Sequence, residues 1–272
     1  MVAALAMSLL AWSVWIEPRR LVARRVDVPL AGLPEALDGL RITILTDLHV
    51  GSPHHHLGTL TEIVAAANAQ QPDVILVLGD LVIHGVVGGT FVPPEEIAGM
   101  LRGLRARHGV FAVLGNHDWW LDGPRVQTAL SSAGLRVLED AAAVIVVNDQ
   151  PIWFAGVSDF LVRDHDIARA LRGVPPNDPV ILFTHNPDIF PDVPPRVTLT
   201  VAGHTHGGQV RLPLVGRPIV PSRFGQRYAA GLVVENGRSL FVSTGLGTSI
   251  IPVRFRVPPE IVQIVARRQS FP

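Results

Sequence analysis

Five short apolar runs in this chain are each followed directly by side chains of the Asp, Asn or His type. The runs cover residues 41–46 (RITILT), 73–78 (DVILVL), 110–114 (VFAVL), 180–184 (VILFT) and 197–202 (VTLTVA). Continuous apolar runs of this length are typical of strands that are buried on both faces of a parallel sheet. In doubly wound sheets, ligands bind at the carboxyl ends of such strands. The pattern therefore predicts an α/β fold in which distant parts of the chain meet at one site.

The polar clusters after these runs carry side chains that bind metal ions. They are DLH at 47–49, GD at 79–80, GNHD at 115–118, H at 185 and GHTHGG at 203–208. Burying such groups without partners costs about 2–7 kcal/mol each, so core packing does not explain why polar side chains stand at these strand ends. Mixed imidazole, carboxylate and amide ligands suit Mn²⁺, Fe or Zn²⁺ better than Mg²⁺, which prefers an oxygen shell. The clusters therefore indicate a metal site.

Helix and strand signals between the clusters predict the architecture. Helical patterns occupy residues 57–70, 94–107, 124–132 and 164–172. Strand patterns follow at 142–147, 151–156, 227–235, 239–242 and 261–266. We expect two facing mixed sheets flanked by helices, which is a four-layer α/β/β/α sandwich. The loop 213–225, rich in Pro, Gly and Arg, is expected to roof the site.

The order DxH, GD, GNHD, H, GHxH resembles that of the calcineurin-like metallophosphoesterases. The longer segment GHTHGGQVRLPLVG at 203–216 resembles the bacterial branch of this family, which has membrane-linked and exported members. The resemblance covers about residues 38–268 and implies one catalytic domain with the four-layer fold. It implies two divalent cations, with Asp80 as the bridge between them. The implied ligands are Asp47, His49, Asp80 and His206 for one cation, and Asp80, Asn116, His185 and His204 for the other.

The resemblance also implies a reaction. Two divalent ions about 3.5–4 Å apart clamp the phosphoryl oxygens and hold a bridging hydroxide that attacks in line. Manganese is the first expectation, with iron or zinc as alternatives. His117 is not a ligand in this scheme and would protonate the leaving oxygen or stabilise charge on the phosphoryl group, with Asp118 orienting it. Arg211 and Arg217 are candidate phosphate ligands; the alternative is that they are solvated loop arginines.

Two features of composition exclude other functions. The chain has no Cys and no Lys, which excludes a cysteine-nucleophile phosphatase, a Walker-type lysine loop and Schiff-base chemistry. The 23 acidic residues balance the 23 basic residues, so no electrostatic footprint predicts a nucleic-acid partner.

Residues 1–16 form a different kind of segment. They carry no charge, and Trp12 and Trp15 stand where an interfacial aromatic belt would fall. We expect an uncleaved membrane segment, followed by a juxtamembrane linker at 17–37; a cleaved signal peptide and a buried core helix are the alternatives. Arginines 19, 20, 24 and 25 then place the catalytic domain on the cytoplasmic face, with export as the alternative.

Several aromatic side chains have two interpretations. His54, His55 and His56 form a triplet in a Gly/Ser/Pro context, which favours a solvated turn over a substrate contact. Trp119 and Trp120 follow GNHD and would form either a wall for the substrate or part of the packing of the next helix.

Three functions are compatible with these motifs. The first is a metal-dependent phosphodiesterase or pyrophosphatase that acts at the membrane on a lipid-linked or nucleotide-linked substrate. The second is a phosphomonoesterase for a soluble substrate, and the third is a non-catalytic metal-binding scaffold. The presence of His117 and of all seven ligand positions argues against the scaffold, whereas the motifs do not separate the first two functions.

Overall fold

The computed structural model describes residues 1–269, and two six-stranded sheets form its centre. The first sheet has the order β1-β12-β2-β3-β4-β5, and β12 runs antiparallel to β2 while the other neighbours are parallel. Its strands are β1 (Val22–Leu30), β2 (Arg41–Leu45), β3 (Val74–Val77), β4 (Val110–Ala112), β5 (Arg136–Val137) and β12 (Glu260–Arg268).

The second sheet has the order β10-β11-β9-β8-β7-β6. Its four central strands are parallel, and the edge strands β10 and β6 are antiparallel to their neighbours. Its strands are β6 (Ala141–Val147), β7 (Gln150–Val157), β8 (Val180–Thr184), β9 (Leu199–Ala202), β10 (Gly231–Glu235) and β11 (Arg238–Val242). The mixed character expected for both sheets is confirmed.

Helices α2 (Leu57–Ala69), α3 (Pro94–Leu101) and α4 (Asn116–Ser132) cover the outer face of the first sheet, and the short helix α5 (Ile167–Ala170) lies against the second sheet. The N-terminal helix α1 (Val2–Ala11) lies outside these layers. Helix α4 begins at Asn116, soon after strand β4 ends, and therefore starts earlier than predicted. The backbone leaves helical geometry at Asp122, and a second helical stretch begins near Pro124. Helix α3 ends earlier than predicted, since the chain turns at Gly103 and the backbone N–H of Arg105 donates to the Asn68 side chain.

Three apolar layers hold the sandwich together. The layer between the sheets includes Ile42, Val74 and Leu76, and the rings of Phe111 and Phe154 stack across it with centroids 5.2 Å apart. A second layer lies between the first sheet and α2, α3 and α4, and a third covers the other face of the second sheet. Because side chains alternate along a strand, buried central strands supply two layers at once. The four-layer sandwich is confirmed.

The first sheet begins before the expected boundary at residue 38. Strand β1 lies inside the segment 17–37, which we expected to be a linker, and pairs in parallel with β12 over nine positions. Its side chains are mostly exposed because β1 is an edge strand, so its sequence VARRVDVPL lacks the apolar run that marks a central strand.

Helix α1 projects from the sandwich and does not pack as a core helix. Residues 3–10 are all exposed, and Leu5, Met7 and Leu10 retain 62%, 65% and 60% of their accessible surface. The helix continues through a π-helical turn at Trp12–Ile16 and a 3₁₀ turn at Glu17–Arg19. Within residues 1–269, no helix combines the length and the apolar character that crossing a bilayer requires.

Candidate active site

The seven predicted ligand residues converge at the edge where strands of both sheets end. Four follow β2, β3 and β4 of the first sheet, and three follow β8 and β9 of the second. All seven are buried, with His204 the most exposed at 8%. The seven residues are Asp47, His49, Asp80, Asn116, His185, His204 and His206.

One group of ligand atoms is formed by Asp47, His49 and His206. The Nε2 atoms of His49 and His206 lie 3.0 Å apart, and His206 Nε2 lies 3.3 Å from Asp47 Oδ1. The other carboxylate oxygen of Asp47 accepts hydrogen bonds from the Thr46 hydroxyl and from the backbone N–H of His204. These bonds fix the carboxylate and leave Oδ1 directed at the two imidazoles.

A second group is formed by Asp80, His185 and His204. His185 Nε2 lies 3.2 Å from Asp80 Oδ2 and 3.1 Å from His204 Nδ1. The opposite nitrogen of His185 lies 2.7 Å from the carbonyl oxygen of Leu78, to which it donates, so Nε2 remains available as a ligand. His49 Nε2 lies 3.5 Å from Asp80 Oδ2, which places this oxygen between the two groups.

The backbone at the ligands is unusual. Asp47, His49, Asp80, His204 and His206 all have positive φ angles, between 41° and 67°. Non-glycine residues rarely adopt this left-handed conformation, and where they do so in clusters the surrounding structure must compensate the strain. Asp and His are among the side chains that tolerate this conformation best, and its concentration at five of the seven ligand positions shows how sharply the chain turns at these strand ends.

Glycines allow the strand ends to approach each other closely. A Cβ atom on Gly115 would overlap the Asp80 carboxylate, and one on Gly203 would overlap the Thr46 hydroxyl and approach Asp47 Oδ2. The glycines of GNHD and GHTHGG therefore make room for ligands that come from other strands.

Burial favours neutral imidazoles at three of the four histidine ligands. It lowers the pKa of His49 and of His204 to about 3 and the pKa of His206 well below its ordinary value. Neutral imidazole is the form that binds a metal ion. For His185 burial acts in the same direction, but the Asp80 carboxylate outweighs it and raises the pKa of His185 well above its ordinary value. A divalent cation bound at His185 would replace that proton.

The donor set fits two divalent cations. Two pairs of imidazoles have ring nitrogens close together: His49 and His206 at 3.0 Å, and His185 and His204 at 3.1 Å. A cation beside each pair would accept the lone pairs of both nitrogens. Within residues 1–269, Asp47 Oδ1 and Asn116 Oδ1 are buried without a hydrogen-bond donor. Each group of three ligand atoms lies within 4.8 Å. A buried oxygen without a donor is costly unless a cation satisfies it, so these positions suit metal ligation.

His117 lies beside the ligands at the beginning of α4. Its Nε2 atom is 4.0 Å from Asp80 Oδ2, and its ring lines the cleft next to Trp120, with centroids 4.9 Å apart. Burial lowers the pKa of His117, which Asp80 only partly offsets. The distances to His49 and Asp80 are also short enough for a metal contact, so geometry alone does not assign His117 a role outside the ligand set.

We expected the Asp118 carboxylate to orient the His117 ring, but among the described residues its hydrogen bonds come from other groups. Its Oδ1 atom accepts from the backbone N–H groups of Leu81 and Val82 at 2.9 and 3.3 Å, and Oδ2 accepts from Gly115 at 3.0 Å. Successive helix residues point about 100° apart, so His117 faces the cleft while Asp118 faces the protein. Asp118 therefore joins the loops after β3 and β4, and burial together with Asp80 raises its pKa to about 7.

A cleft of about 640 Å³ opens beside the ligands. Its walls are mainly apolar and include Trp120, Phe160, Leu161, Ile219 and Ile250. The loop 213–225 contributes several wall residues, in agreement with the predicted roof.

The arginine in the cleft wall is Arg223, which the sequence did not single out. Its guanidinium carbon lies 4.3 Å from the centre of the Phe160 ring, and Asp188 accepts from its backbone N–H at 2.9 Å. Arg211 and Arg217, the predicted phosphate ligands, lie outside the cleft wall. Arg211 is instead exposed in a segment that pairs with Phe255. Nothing in the sequence of the loop 213–225 distinguishes Arg223 from Arg217. The position of Arg223 in the cleft wall depends on its contacts with Asp188 and Phe160, which are distant in sequence.

The structure also separates the histidine triplet and the tryptophan pair. His54 lies 2.8 Å from the Val14 carbonyl, and the His56 side chain caps α2, so these two histidines have structural contacts. Trp120 is half exposed in the cleft wall, whereas Trp119 packs against the helical layer and under Arg163.

A four-layer sandwich with this donor set at facing strand ends defines a metallophosphoesterase. The sequence profile described as calcineurin-like phosphoesterase matches residues 40–208. The chain therefore belongs to the calcineurin-like phosphoesterase family and is a hydrolase that acts on phosphoester bonds, as the motifs predicted.

Three bacterial relatives extend this comparison over most of the chain. YkuE of Bacillus subtilis, an uncharacterized metallophosphoesterase, is 29% identical over 252 residues, covering 91% of this chain and 86% of its own. The phosphodiesterase YaeI of Escherichia coli is 31% identical over 230 residues, with coverages of 82% and 81%. LpxG of Chlamydia trachomatis, a UDP-2,3-diacylglucosamine pyrophosphatase, is 27% identical over 320 residues, with coverages of 94% and 93%.

Proposed function

We propose that this protein is a phosphodiesterase or pyrophosphatase with two divalent cations that acts at a membrane on a lipid-linked or nucleotide-linked substrate. The observation that carries the proposal is the apolar cleft beside the ligand cluster. A wall of Trp120, Phe160, Leu161 and Ile219 suits a large organic group attached to the phosphate. A small soluble phosphomonoester would leave this wall in contact with water.

Two of the relatives support the same substrate class. YaeI is named as a phosphodiesterase, and LpxG as a pyrophosphatase for a diacylated nucleotide sugar. Both substrate types present an internal phosphate with organic groups on both sides, in accordance with a cleft that extends from the ligands along an apolar wall.

The ligand residues are proposed to bind two cations. Asp47, His49 and His206 would hold one cation and Asn116, His185 and His204 the other, and Asp80 would contribute to both. When bound, the cations supply positive charge to the phosphoryl oxygens and lower the pKa of the attacking water. Manganese remains the first expectation for a mixed nitrogen and oxygen donor set, with iron or zinc as alternatives.

His117 is proposed to act on the phosphoryl group and the leaving oxygen. Because burial lowers its pKa, the resting ring is neutral and donates one N–H as a hydrogen bond. Protonation of the leaving oxygen requires the imidazolium, so a purely acidic role would give activity that falls as the pH rises through the pKa of His117. The pH dependence of kcat therefore separates the two roles.

The proposed membrane location rests on the N-terminal segment. Helix α1 exposes apolar side chains on every side, a pattern that fits surroundings of lipid better than one groove of a protein. Insertion into one leaflet requires a shorter helix than crossing does. The arginines at 19, 20, 24 and 25 favour the cytoplasmic face for the catalytic domain; export is the alternative, and protease treatment of intact cells distinguishes the two.

The proposal is tested with the full-length protein, stripped of metal and then supplied with Mn²⁺, Fe²⁺ or Zn²⁺. Hydrolysis of bis-p-nitrophenyl phosphate should exceed that of p-nitrophenyl phosphate, and cleavage of UDP-2,3-diacylglucosamine should exceed that of UDP-glucosamine. Leu161→Ser should reduce kcat/KM for the acylated substrate more than for the unacylated one, because it removes apolar cleft wall. A preference for the monoester would contradict the proposal and favour a soluble-substrate phosphomonoesterase.

A further inference from the structure

Two residues of the cleft wall, Ile219 and Ile250, are exposed, and the loops that carry them, together with the loop at Val87, present further exposed apolar side chains. We define the apolar rim as Val87, Leu214, Val215, Ile219, Ile250 and Ile251, each of which retains at least 55% of its accessible surface. Leu214 is fully exposed, at the tip of a turn closed by hydrogen bonds between Leu212 and Gly216. Six large exposed aliphatic side chains on the loops of the cleft wall and the loop joined to them are a costly arrangement in water and mark an interaction surface.

The loops of the apolar rim are joined to each other. The backbone N–H of Val87 donates to the Ile250 carbonyl at 2.9 Å. The Gln209 amide donates to the carbonyls of Ser249 and Ile251, and its oxygen accepts from the Ser249 N–H at 2.7 Å. Gln209 follows the GHTHGG cluster directly, so the position of the rim is set relative to the metal ligands.

The same loops contact the base of the N-terminal helix. The backbone N–H of Arg254 donates to the Ser13 carbonyl at 3.0 Å, and that of Val257 donates to the Glu17 carboxylate at 2.7 Å. Phe255, between these two residues, donates to the Gln209 carbonyl at 2.9 Å. The exposed helix α1 and the apolar rim are therefore attached to one continuous segment, 249–257.

The charges of these segments have a single sign. Residues 208–223 contain three arginines and no acidic residue. Residues 245–256 also contain no acidic residue, and of their two arginines Arg254 is buried while Arg256 is exposed. Residues 81–92 carry no Asp, Glu, Lys or Arg, although the chain as a whole is neutral. Apolar tips beside arginines match the acyl region and the anionic head groups of a membrane.

We infer that the apolar rim is a membrane-contact surface, and that the cleft opens directly onto a bilayer that contains anionic phospholipid. The inference builds on the proposed membrane location and adds a second contact besides α1, located at the mouth of the site. Helix α1 contacts the same segment, 249–257, as the rim, and it is apolar on all sides. A groove on one partner protein would cover only one side of such a helix, whereas lipid surrounds it, so we assign lipid as the occupant of the rim as well. A substrate with acyl chains would enter the cleft without leaving the bilayer.

The absence of cysteine from the sequence allows a direct test, since a single introduced thiol takes all of the label. Leu214→Cys places an environment-sensitive fluorophore on the rim, outside the cleft wall. Val234→Cys is the matched control, because Val234 is an exposed apolar residue, at 62%, near the end of β10 that lies away from the site. Full-length labelled protein is mixed with vesicles of phosphatidylcholine, with and without phosphatidylglycerol.

We expect the label at position 214 to shift to shorter wavelength with mixed vesicles, while the label at 234 does not change. If vesicles bind the protein and neither label responds, α1 alone makes the contact and the inference is wrong. A response at 214 that depends on protein concentration without lipid would show a second copy of the chain on the rim and would also overturn it. Absence of vesicle binding overturns both the inference and the membrane location, whereas hydrolysis of bis-p-nitrophenyl phosphate in solution tests the diesterase proposal separately.

A second pair of variants measures the contribution of the rim. Leu214→Ser with Ile251→Ser should lower the vesicle partition coefficient by about ten- to hundredfold, since two aliphatic side chains are removed from lipid. Val146→Ser with Val234→Ser, which changes exposed residues of the two edge strands β6 and β10, should leave the partition coefficient unchanged. Equal effects of the two pairs would contradict a specific rim contact.

Discussion

The substitution Asp118→Asn tests whether Asp118 acts on the chemistry or on the framework of the site. In the structure, one carboxylate oxygen accepts from Leu81 and Val82, and the other accepts from Gly115. An asparagine of the same shape keeps only one acceptor oxygen. Its amide N–H₂ would then face a backbone N–H donor on one side, so at least one buried donor loses its partner.

The expected cost follows from that loss. A buried donor without an acceptor costs about 1–3 kcal/mol. Part of this is offset, because burial and Asp80 already make the Asp118 carboxylate unfavourable and raise its pKa to about 7. We therefore expect a net destabilisation of about 1–2 kcal/mol at pH 8, which lowers Tm by about 2–8 °C in a chain of this size. Turnover should fall only about tenfold, through displacement of the loops that carry Asp80 and Asn116.

The assay is calorimetry of the metal-loaded protein together with kcat for bis-p-nitrophenyl phosphate. Asp122→Asn is the matched control, because Asp122 is an exposed carboxylate on the same helix that accepts only from the nearby Arg125 N–H among the described residues. An unchanged Tm combined with a loss of kcat as large as that of His117→Ala would refute the reasoning and would restore a catalytic role for Asp118.

Three further outcomes are expected. His117→Ala should retain both cations, measured by elemental analysis, while kcat falls by about 10² to 10⁴; loss of a cation would make His117 a ligand, and unchanged kcat would remove its role. Asp80→Ala should lose both cations, and retention of two ions would refute the bridge. Glu139→Gln should stabilise the protein above pH 7, because burial raises the pKa of Glu139 from 4.5 to about 7. The free energy of unfolding of the wild type then falls as the pH rises from about 4.5 to 7. The variant should therefore gain almost nothing over the wild type at pH 4.5 and up to about 3 kcal/mol at pH 8, measured by urea unfolding. A gain independent of pH would contradict the assignment.

The central strands and the positions of the ligands were accessible from sequence because both signals are local. A strand such as β3 is buried on both faces and reads as an apolar run, and the polar cluster after it marks the strand end. Strand β1 gave no such signal, since its partner β12 lies more than 200 residues away and its own side chains face solvent. Its pairing depends on tertiary structure and could not be predicted from the pattern.

Residue roles inside the site were predictable only where neighbours in sequence are also neighbours in space. His117 and Asp118 are adjacent in the chain, which suggested a pair, but the helix that begins at Asn116 directs them to different surroundings. Arg223 and Phe160 are 63 positions apart by residue number and meet in the cleft wall, where Asp188 holds the arginine loop. No spacing rule connects such residues, so the substrate side of the site required the structure.

The division of the ligands between the two sheets links the site to the packing of the sandwich. Deep between the sheets the contacts are apolar, as in the stacked rings of Phe111 and Phe154. At the strand ends they become polar: the His204 N–H donates to the Asp47 carboxylate, and His185 donates to the Leu78 carbonyl. Because each ligand group takes residues from both sheets, a bound cation would connect the two sheets at the edge where the apolar layer ends. The relative position of the ligands therefore depends on how the two sheets dock, and the positive φ angles at five of the ligands lie at this same edge.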